Sequence, residues 1–490
     1  MLAPWIEAEM QAADLGDKRL NRRLEQILSA LNERPTASIP AACGGWKETV
    51  AAYRFFDNEA VTPEKVLESH LISTRRRMAE HKVVLLVQDT TEIDLTRPDQ
   101  QVVGAGPLSA ETRWGAFLHP LEAFTPDGLP LGAVWVNMWT RERRESGHLT
   151  ESQKRERRRK TPIEEKESWR WVEGLQQARA VAQELPGTQC VCIGDSEADI
   201  FELFAEPRGA SPAHWLIRAC QDRSLKPDEN AGTSLGQHLW EGAAAWPLLF
   251  TKQLTVRGRK TAIPCETERR RQPREDRETE VAVRAGTVTL CPPDRPDRQL
   301  GGVTVNVVFV REIDPPADDA PIEWLLVTTL PVDTIEQVKT IVQYYAVRFL
   351  IEVQFRVLKS GCRVEQRLFE HIDRMLPCLA VYWIIAWRTL MLCRLGRSNP
   401  DLDCEAVFEP SEWKSVWIAV RRKPLPKAPP RLMEIIKLVA QLGGYVNRPN
   451  RKDPPGPQTL WLGLQRARDL AWAWNSFGPG APAAPLDTCV

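Results

Sequence analysis

Three carboxylates stand where chemistry on a phosphate would need them. KVVLLVQD (82–89) and CVCIGD (190–195) are short apolar runs that end in Asp89 and Asp195. Such runs predict buried strands, and strand ends are where open α/β sheets expose reactive groups. The third carboxylate, Glu352, is the single acid in YYAVRFLIEVQFRVLK (344–359), among Arg348, Arg356 and Lys359. At about 100° per residue, Tyr345, Arg348, Glu352, Arg356 and Lys359 share one face of a helix, opposite Leu350, Ile351, Val353, Val357 and Leu358. If the two strands are neighbours and Glu352 points back at them, three carboxylates converge, and their repulsion makes the site stable only with cations. Hard oxygen donors suit Mg²⁺ or Mn²⁺. Two such ions about 4 Å apart can activate a water or a 3′ hydroxyl and stabilise the leaving oxygen of an in-line phosphoryl displacement. Tyr345, Arg348 and Lys359 would then grip consecutive phosphates. Blander readings exist for each part: an aspartate after a strand starts a turn or caps a helix, and Arg348 with Glu352 is an ordinary i,i+4 surface pair.

The elements that must position these residues follow from the rest of the pattern. WGAFLHPLEAF and LGAVWVNMW flank the turn TPDGLP and predict a hairpin, 163–185 predicts a long helix, and HWLIRAC predicts another strand. The segment from about 223 to 330 is rich in Thr, Val, Pro and Arg and reads as mainly β. The result is a βββαβαβ core interrupted by a β insertion of about a hundred residues before its last helix. Near the start, DLGDKRLNRRLEQIL sets Lys18, Arg19, Arg22 and Arg23 opposite Leu20, Leu24, Ile27 and Leu28, a basic face suited to phosphates or to solvent. The tail from about 396 is helical, with PLPKAPPR (424–431) as a linker or turn.

Bulk composition narrows the function classes. A chain of 490 residues exceeds one ordinary core, so two or three domains are expected. Lys plus Arg and Asp plus Glu both number 65, so this is no uniformly basic nucleic-acid binder, yet the cations cluster. Residues 141–160 hold nine Lys or Arg against four Glu, with further groups at Arg269–Arg271 and Arg421–Lys423, and such runs read as solvated loops. The eleven cysteines lack CxxC or Cys/His spacing, which fits a reduced, cytoplasmic protein. CLAVYWIIAW (378–387) is ended by Arg388 and is short for a bilayer, so no membrane partner is expected. His119, among apolar neighbours, reads as structural.

The spacing of Tyr345, Arg348, Glu352 and Lys359, Y-x2-R-x3-E-x6-K, resembles the signature of bacterial cut-and-paste transposases of the insertion-sequence-four family, the transposon-five transposase type. LGDKRLNRRL, AAYRFFDNE, QDTT, EKES, GDSEAD, PIEWLLVTTLPV and QLGGYVNRPNRKDPPGPQTLWLGLQR extend the resemblance along most of the chain. The resemblance implies an α/β fold: an RNase H-like catalytic domain (76–390) with a β insertion at about 223–330, an N-terminal helical DNA-binding domain (1–75) and a C-terminal helical dimerisation domain (391–490). It implies Asp89, Asp195 and Glu352 as catalytic metal ligands for two Mg²⁺ or Mn²⁺ ions. It also implies Trp324 as the aromatic that stacks a flipped base, and Arg218 as a basic residue near the active site, although Cys220, Gln221 and Asp222 depart from the basic run that usually follows. The implied reaction is nicking, hairpin formation, hairpin opening and strand transfer, on transposon-end and target DNA held by a synaptic homodimer at the bacterial nucleoid. Two other readings compete: a catalytically silent transposase-like regulator that forms unproductive dimers, and an RNase H-like nuclease with a cellular duty.

Overall fold

The computed structural model describes residues 3–110, 112–142, 150–207, 213–227, 238–256, 258, 275–296, 298–317, 321–447 and 454–479. Five helices come first: α1 (Pro4–Met10), α2 (Lys18–Glu33), α3 (Ile39–Cys43), α4 (Trp46–Phe56) and α5 (Pro63–Ala79). Strands β1 (Val83–Gln88), β2 (Thr91–Asp94), β3 (Gly106–Pro107), β4 (Trp114–Phe124) and β5 (Pro130–Trp139) follow. Next come α6 (Glu151–Lys160), α7 (Arg170–Glu184), β6 (Gln189–Gly194), α8 (Phe201–Ala205), β7 (His214–Ala219) and α9 (Leu239–Ala245). Four strands, β8 (Phe250–Val256), β9 (Arg277–Leu290), β10 (Val303–Glu312) and β11 (Glu323–Thr328), precede α10 (Ile335–Val347) and α11 (Phe349–Arg356). The chain closes with α12 (Ile372–Ser398), α13 (Pro410–Arg421), α14 (Leu432–Leu442) and α15 (Pro457–Phe477). It divides into two compact units, Lys82–Asp89 with Glu145–Arg348, and Met1–His81 with Thr90–Arg144 and Phe349–Val490.

The first unit is built on a sheet in which β1, β6 and β7 are parallel and β7, β11, β10, β9 and β8 follow in antiparallel order. The parallel strands are near-continuous apolar runs because both faces are covered. On one face, Gln88 Nε2 donates to the Trp171 carbonyl of α7 at 3.3 Å, and Trp215 stacks on Phe204 of α8 at 5.0 Å. Gly174 permits that approach, since a Cβ there would lie 2.1 Å from Gln88 Oε1. The β insertion is antiparallel, and within it the buried Glu312 carboxylate is held by Arg277 and by the Thr279 hydroxyl. The charge run 141–160 departs from its reading as a loop. Its second half is helix α6, because Thr150 and Gln153 form a reciprocal capping box and Lys, Arg, Gln and Glu all favour helix. Residues 143–149 and Arg269–Arg271 lie outside the described residues.

The second unit combines helices with the β4–β5 hairpin, which β2 and β3 extend along β4. Helices α5 and α12 grip β5: the Ala133 N–H donates to His70 Nε2 at 3.1 Å, and Trp387 Nε1 donates to the Pro130 carbonyl at 3.2 Å. Helix α1 is tied in by Glu9, which accepts from His70 Nδ1 at 2.7 Å and pairs with Arg77. His119 is fully buried and bonds Thr90 Oγ1 at 2.8 Å, a structural role. The apolar run at 378–387 does not stop at Arg388; α12 carries on through it for 27 residues, and Arg388 is itself buried with its guanidinium over Trp5. By length and mean hydropathy α12 could cross a membrane, but 89% of its most apolar window is buried inside the protein, as in a core helix. Helices α13, α14 and α15 close a separate core around Trp413, Ile435, Val439, Leu460 and Leu464, and PLPKAPPR links α13 to α14.

The stretch 344–359 is not one helix. Helix α10 ends at Val347, the Arg348 N–H bonds the Tyr345 carbonyl three residues back at 3.1 Å, α11 runs to Arg356, and a π-helical turn covers Val357–Gly361. Tightened turns and π turns are local changes of winding that the 3.6 period cannot register.

Candidate functional site

Strand register sets the site's floor. β1 pairs with β6 from Val83–Gln189 to Val87–Ile193, and β6 with β7 from Val191–His214 to Gly194–Ile217. Two steps past Val87–Ile193 the same register sets Asp89 beside Asp195, and one step past Gly194–Ile217 it sets Asp195 beside Arg218. Arg218 in turn pairs with Leu326 of β11. Adjacent strands are about 4.8 Å apart and side chains alternate, so Asp89, Asp195 and Arg218 form a row on one face, opposite the face that Gln88 and Trp215 present to α7 and α8.

Helix α10 supplies the rest. Arg348 Nη1 donates to Asp89 Oδ2 at 3.1 Å, with side-chain exposures of 14% and 13%. Tyr345 is 4% exposed; burial raises its phenol pKa, the nearby Arg348 and Arg218 guanidiniums oppose that, and Asp195 adds to it. Trp324 lies two residues before Leu326, hence on the Arg218 face, and meets Tyr345 edge to face at 5.4 Å and 61°. Asp89, Asp195, Arg218, Trp324, Tyr345 and Arg348 therefore belong to one cluster within one unit. Tyr345 enters it as a buried wall.

Asp195 also performs the capping that its position suggests: its Oδ1 accepts the Glu197 N–H at 2.8 Å. Glu197 pairs with Arg170 at 2.9 Å, and its carboxyl is pushed up first by burial and then by the Asp195 charge. Asp199 is buried, takes Arg223 at 2.6 Å, and accepts the backbone N–H groups of Cys220 and Gln221 at 2.8 and 2.7 Å. It thereby fixes the loop that leaves β7 directly after Arg218. The DSEAD motif drew attention to this residue, but the arginine 24 positions on carried no signal that it was the partner.

Glu352 lies in the other unit, on α11, and is partly exposed. Lys359 lies in the π turn of that unit, 3.7 Å from Glu365. On α2, Lys18, Arg19 and Arg22 are exposed and Arg23 is partly so; Arg19 pairs with Asp17 at 2.9 Å, the residue that caps α2. Among the described residues no three His, Cys, Asp or Glu side chains are grouped closely enough to hold a metal ion. Asp89 and Asp195, which follow the ends of neighbouring strands, are hard oxygen donors, a set that fits a hard divalent cation better than a soft one.

Comparison with known families agrees at both ends of the chain. The family model described as transposase DNA-binding matches residues 2–61, and the one described as the transposase Tn5 dimerisation domain matches residues 384–471. At both ends, then, the chain is similar to Tn5-type transposases. The DNA-binding match covers the basic face of α2, and the dimerisation match runs from within α12 to within α15. The two matched domains imply DNA and a second copy of the chain as partners. Among solved structures, a piggyBac transposase synaptic complex with hairpin DNA is similar at a TM-score of 0.35 and 8% identity, over 81% of this chain and 72% of that one. So distant a likeness carries no weight for the fold of the core.

Proposed function

We propose that this chain is a catalytically active transposase, that its core is RNase H-like, and that it excises and inserts DNA by metal-dependent phosphoryl transfer. The observation that supports this most is the row of Asp89, Asp195 and Arg218 at the ends of three parallel strands, roofed by Arg348 and Tyr345. Asp89 and Asp195, with Glu352, would hold Mg²⁺ or Mn²⁺, and the bound ions supply Lewis acidity to the phosphoryl displacement. The chain's own residues bind and orient the DNA. Arg218 and Arg348 offer guanidiniums to phosphate oxygens, and Arg348 holds Asp89 in place until DNA competes for it. Trp324 presents a face to a flipped base while Tyr345 fixes its angle. Lys359 extends the phosphate track, and Lys18, Arg19, Arg22 and Arg23 hold the transposon end. A synaptic homodimer brings two ends together in the cytoplasm, and the cut ends pass through a hairpin.

The test is incubation of the full-length protein with a plasmid carrying the inverted repeats that bracket its gene, in Mg²⁺ and in EDTA. Double-strand release in Mg²⁺, with hairpin termini on a denaturing gel, is expected. Binding of the repeats without any cleavage would support the silent-regulator reading instead, to which the Arg348 contact on Asp89 lends some support.

A further inference from the structure

Helix α6 is a strongly basic feature that the site above does not use. Six of its ten residues, ESQKRERRRK, are Lys or Arg and two are Glu, in a chain whose total charge is zero. It has no apolar residue, so no stripe holds it to a core, and helices that are polar all round need another source of order. Its ends are nonetheless fixed. Thr150 and Gln153 cap the start, while at the other end Thr161 bonds back to the Arg157 carbonyl through both its N–H and its hydroxyl, and Ile163 is buried just beyond. Two of its charges have described ion-pair partners. Lys160 pairs with Glu156 at 2.8 Å and Arg159 with Asp294 at 2.7 Å, but all four side chains are more than 60% exposed, and ion pairs of that kind contribute little. Arg157 and Lys160 are like charges at i,i+3, an arrangement that costs helix stability in water and that a polyanion relieves.

We infer that α6 is a sequence-independent contact for the phosphate backbone of target DNA. Ten helical residues extend about 15 Å, enough to follow several phosphates of a duplex. The chemistry favours target over transposon end. The helix carries an excess of positive charge along its length, and charge of one sign suits phosphates taken without regard to sequence. The segment matched as DNA-binding, residues 2–61, lies in the other unit and is the one suited to end recognition. This inference rests on the transposase reading.

The test uses full-length protein carrying Arg157→Ala, Arg159→Ala and Lys160→Ala together, with Arg157→Lys plus Arg159→Lys as the charge-conserving control. Affinity for transposon-end DNA, affinity for an unrelated duplex, and strand transfer of pre-cleaved ends into a plasmid are each measured against salt. The triple variant should bind the unrelated duplex and transfer strands at least about fivefold less well, with a salt slope lower by about 2 to 3, while end binding stays within twofold. The lysine control should match wild type in all three. Unchanged affinity for the unrelated duplex would overturn the inference and leave α6 a solvated helix, and an equal loss of end binding would overturn it in favour of a contact with the end. Duplex affinity needs no chemistry, so an inactive wild type would count against the transposase reading without touching this result.

Discussion

Arg348, at the break that ends α10, is bonded at 3.1 Å to Asp89 at the end of β1, and both groups are largely withdrawn from solvent. The pair holds together the two sides of the site, the carboxylate row on the sheet and the roof above it. Removing the guanidinium leaves Asp89 beside Asp195 with less compensation, so Arg348→Ala should lower the thermal midpoint without divalent metal, and Mg²⁺ should restore more of it than it adds to wild type. The same variant should lose about one unit of salt slope in DNA binding. Differential scanning fluorimetry with and without Mg²⁺ checks the first effect; an equal Mg²⁺ response in both proteins would mean that the arginine does not screen the carboxylates.

Trp324 and Tyr345 meet edge to face on the same side of the sheet as Arg218. Trp324→Ala should weaken capture of an unstacked base by about 1 to 3 kcal/mol, about 5- to 150-fold, while leaving binding of a fully paired end fragment unchanged. A 2-aminopurine placed near the cleavage site reports the unstacking. An unchanged fluorescence rise in the variant would make Trp324 a packing residue.

Helix α2 gives a graded prediction. Arg19 is tied to Asp17, whereas Lys18 and Arg22 are exposed. Lys18→Ala and Arg22→Ala should each reduce the salt slope of end binding by about 0.9 and weaken binding to all end sequences alike. A loss confined to one end sequence would mean that these residues read bases.

Glu122 of β4 predicts a pH dependence. It is fully buried, and burial pushes its pKa up to about 8, with Gln354, Arg77 and Trp383 only partly opposing that. An acid whose folded pKa is raised adds stability below its ordinary value of 4.5, and that contribution is lost as pH rises towards 8. Glu122→Gln should therefore raise the thermal midpoint at pH 8 and change it little at pH 4. Equal shifts at both pH values would show that shape, not charge, decides.

What the sequence disclosed and withheld divides along physical lines. The strands ending in Asp89 and Asp195 were legible because two covered faces demand continuous apolar runs, and their adjacency follows from a parallel register that composition alone could not number. The hairpin of β4 and β5, the antiparallel insertion and the α13–α14 linker were legible from alternation and turn residues. The break at Arg348 was not, because the helical period of the side chains continues through it while the winding changes. Nor was α6, whose helix rests on capping and intrinsic propensity where the eye sees only charge. Tyr345 shows the limit of a face count: it shares the polar stripe in projection yet is buried against Trp324.

The central claim is that Asp89, Asp195 and Glu352 act together on phosphodiester bonds. The direct measurement is cleavage of a plasmid bearing transposon ends by wild type, Asp89→Ala, Asp195→Ala and Glu352→Ala, alongside binding of the same ends by gel shift. The account predicts that all three variants bind ends within a few fold of wild type and cut none in Mg²⁺ or Mn²⁺. Cleavage by Glu352→Ala at the wild-type rate would contradict it.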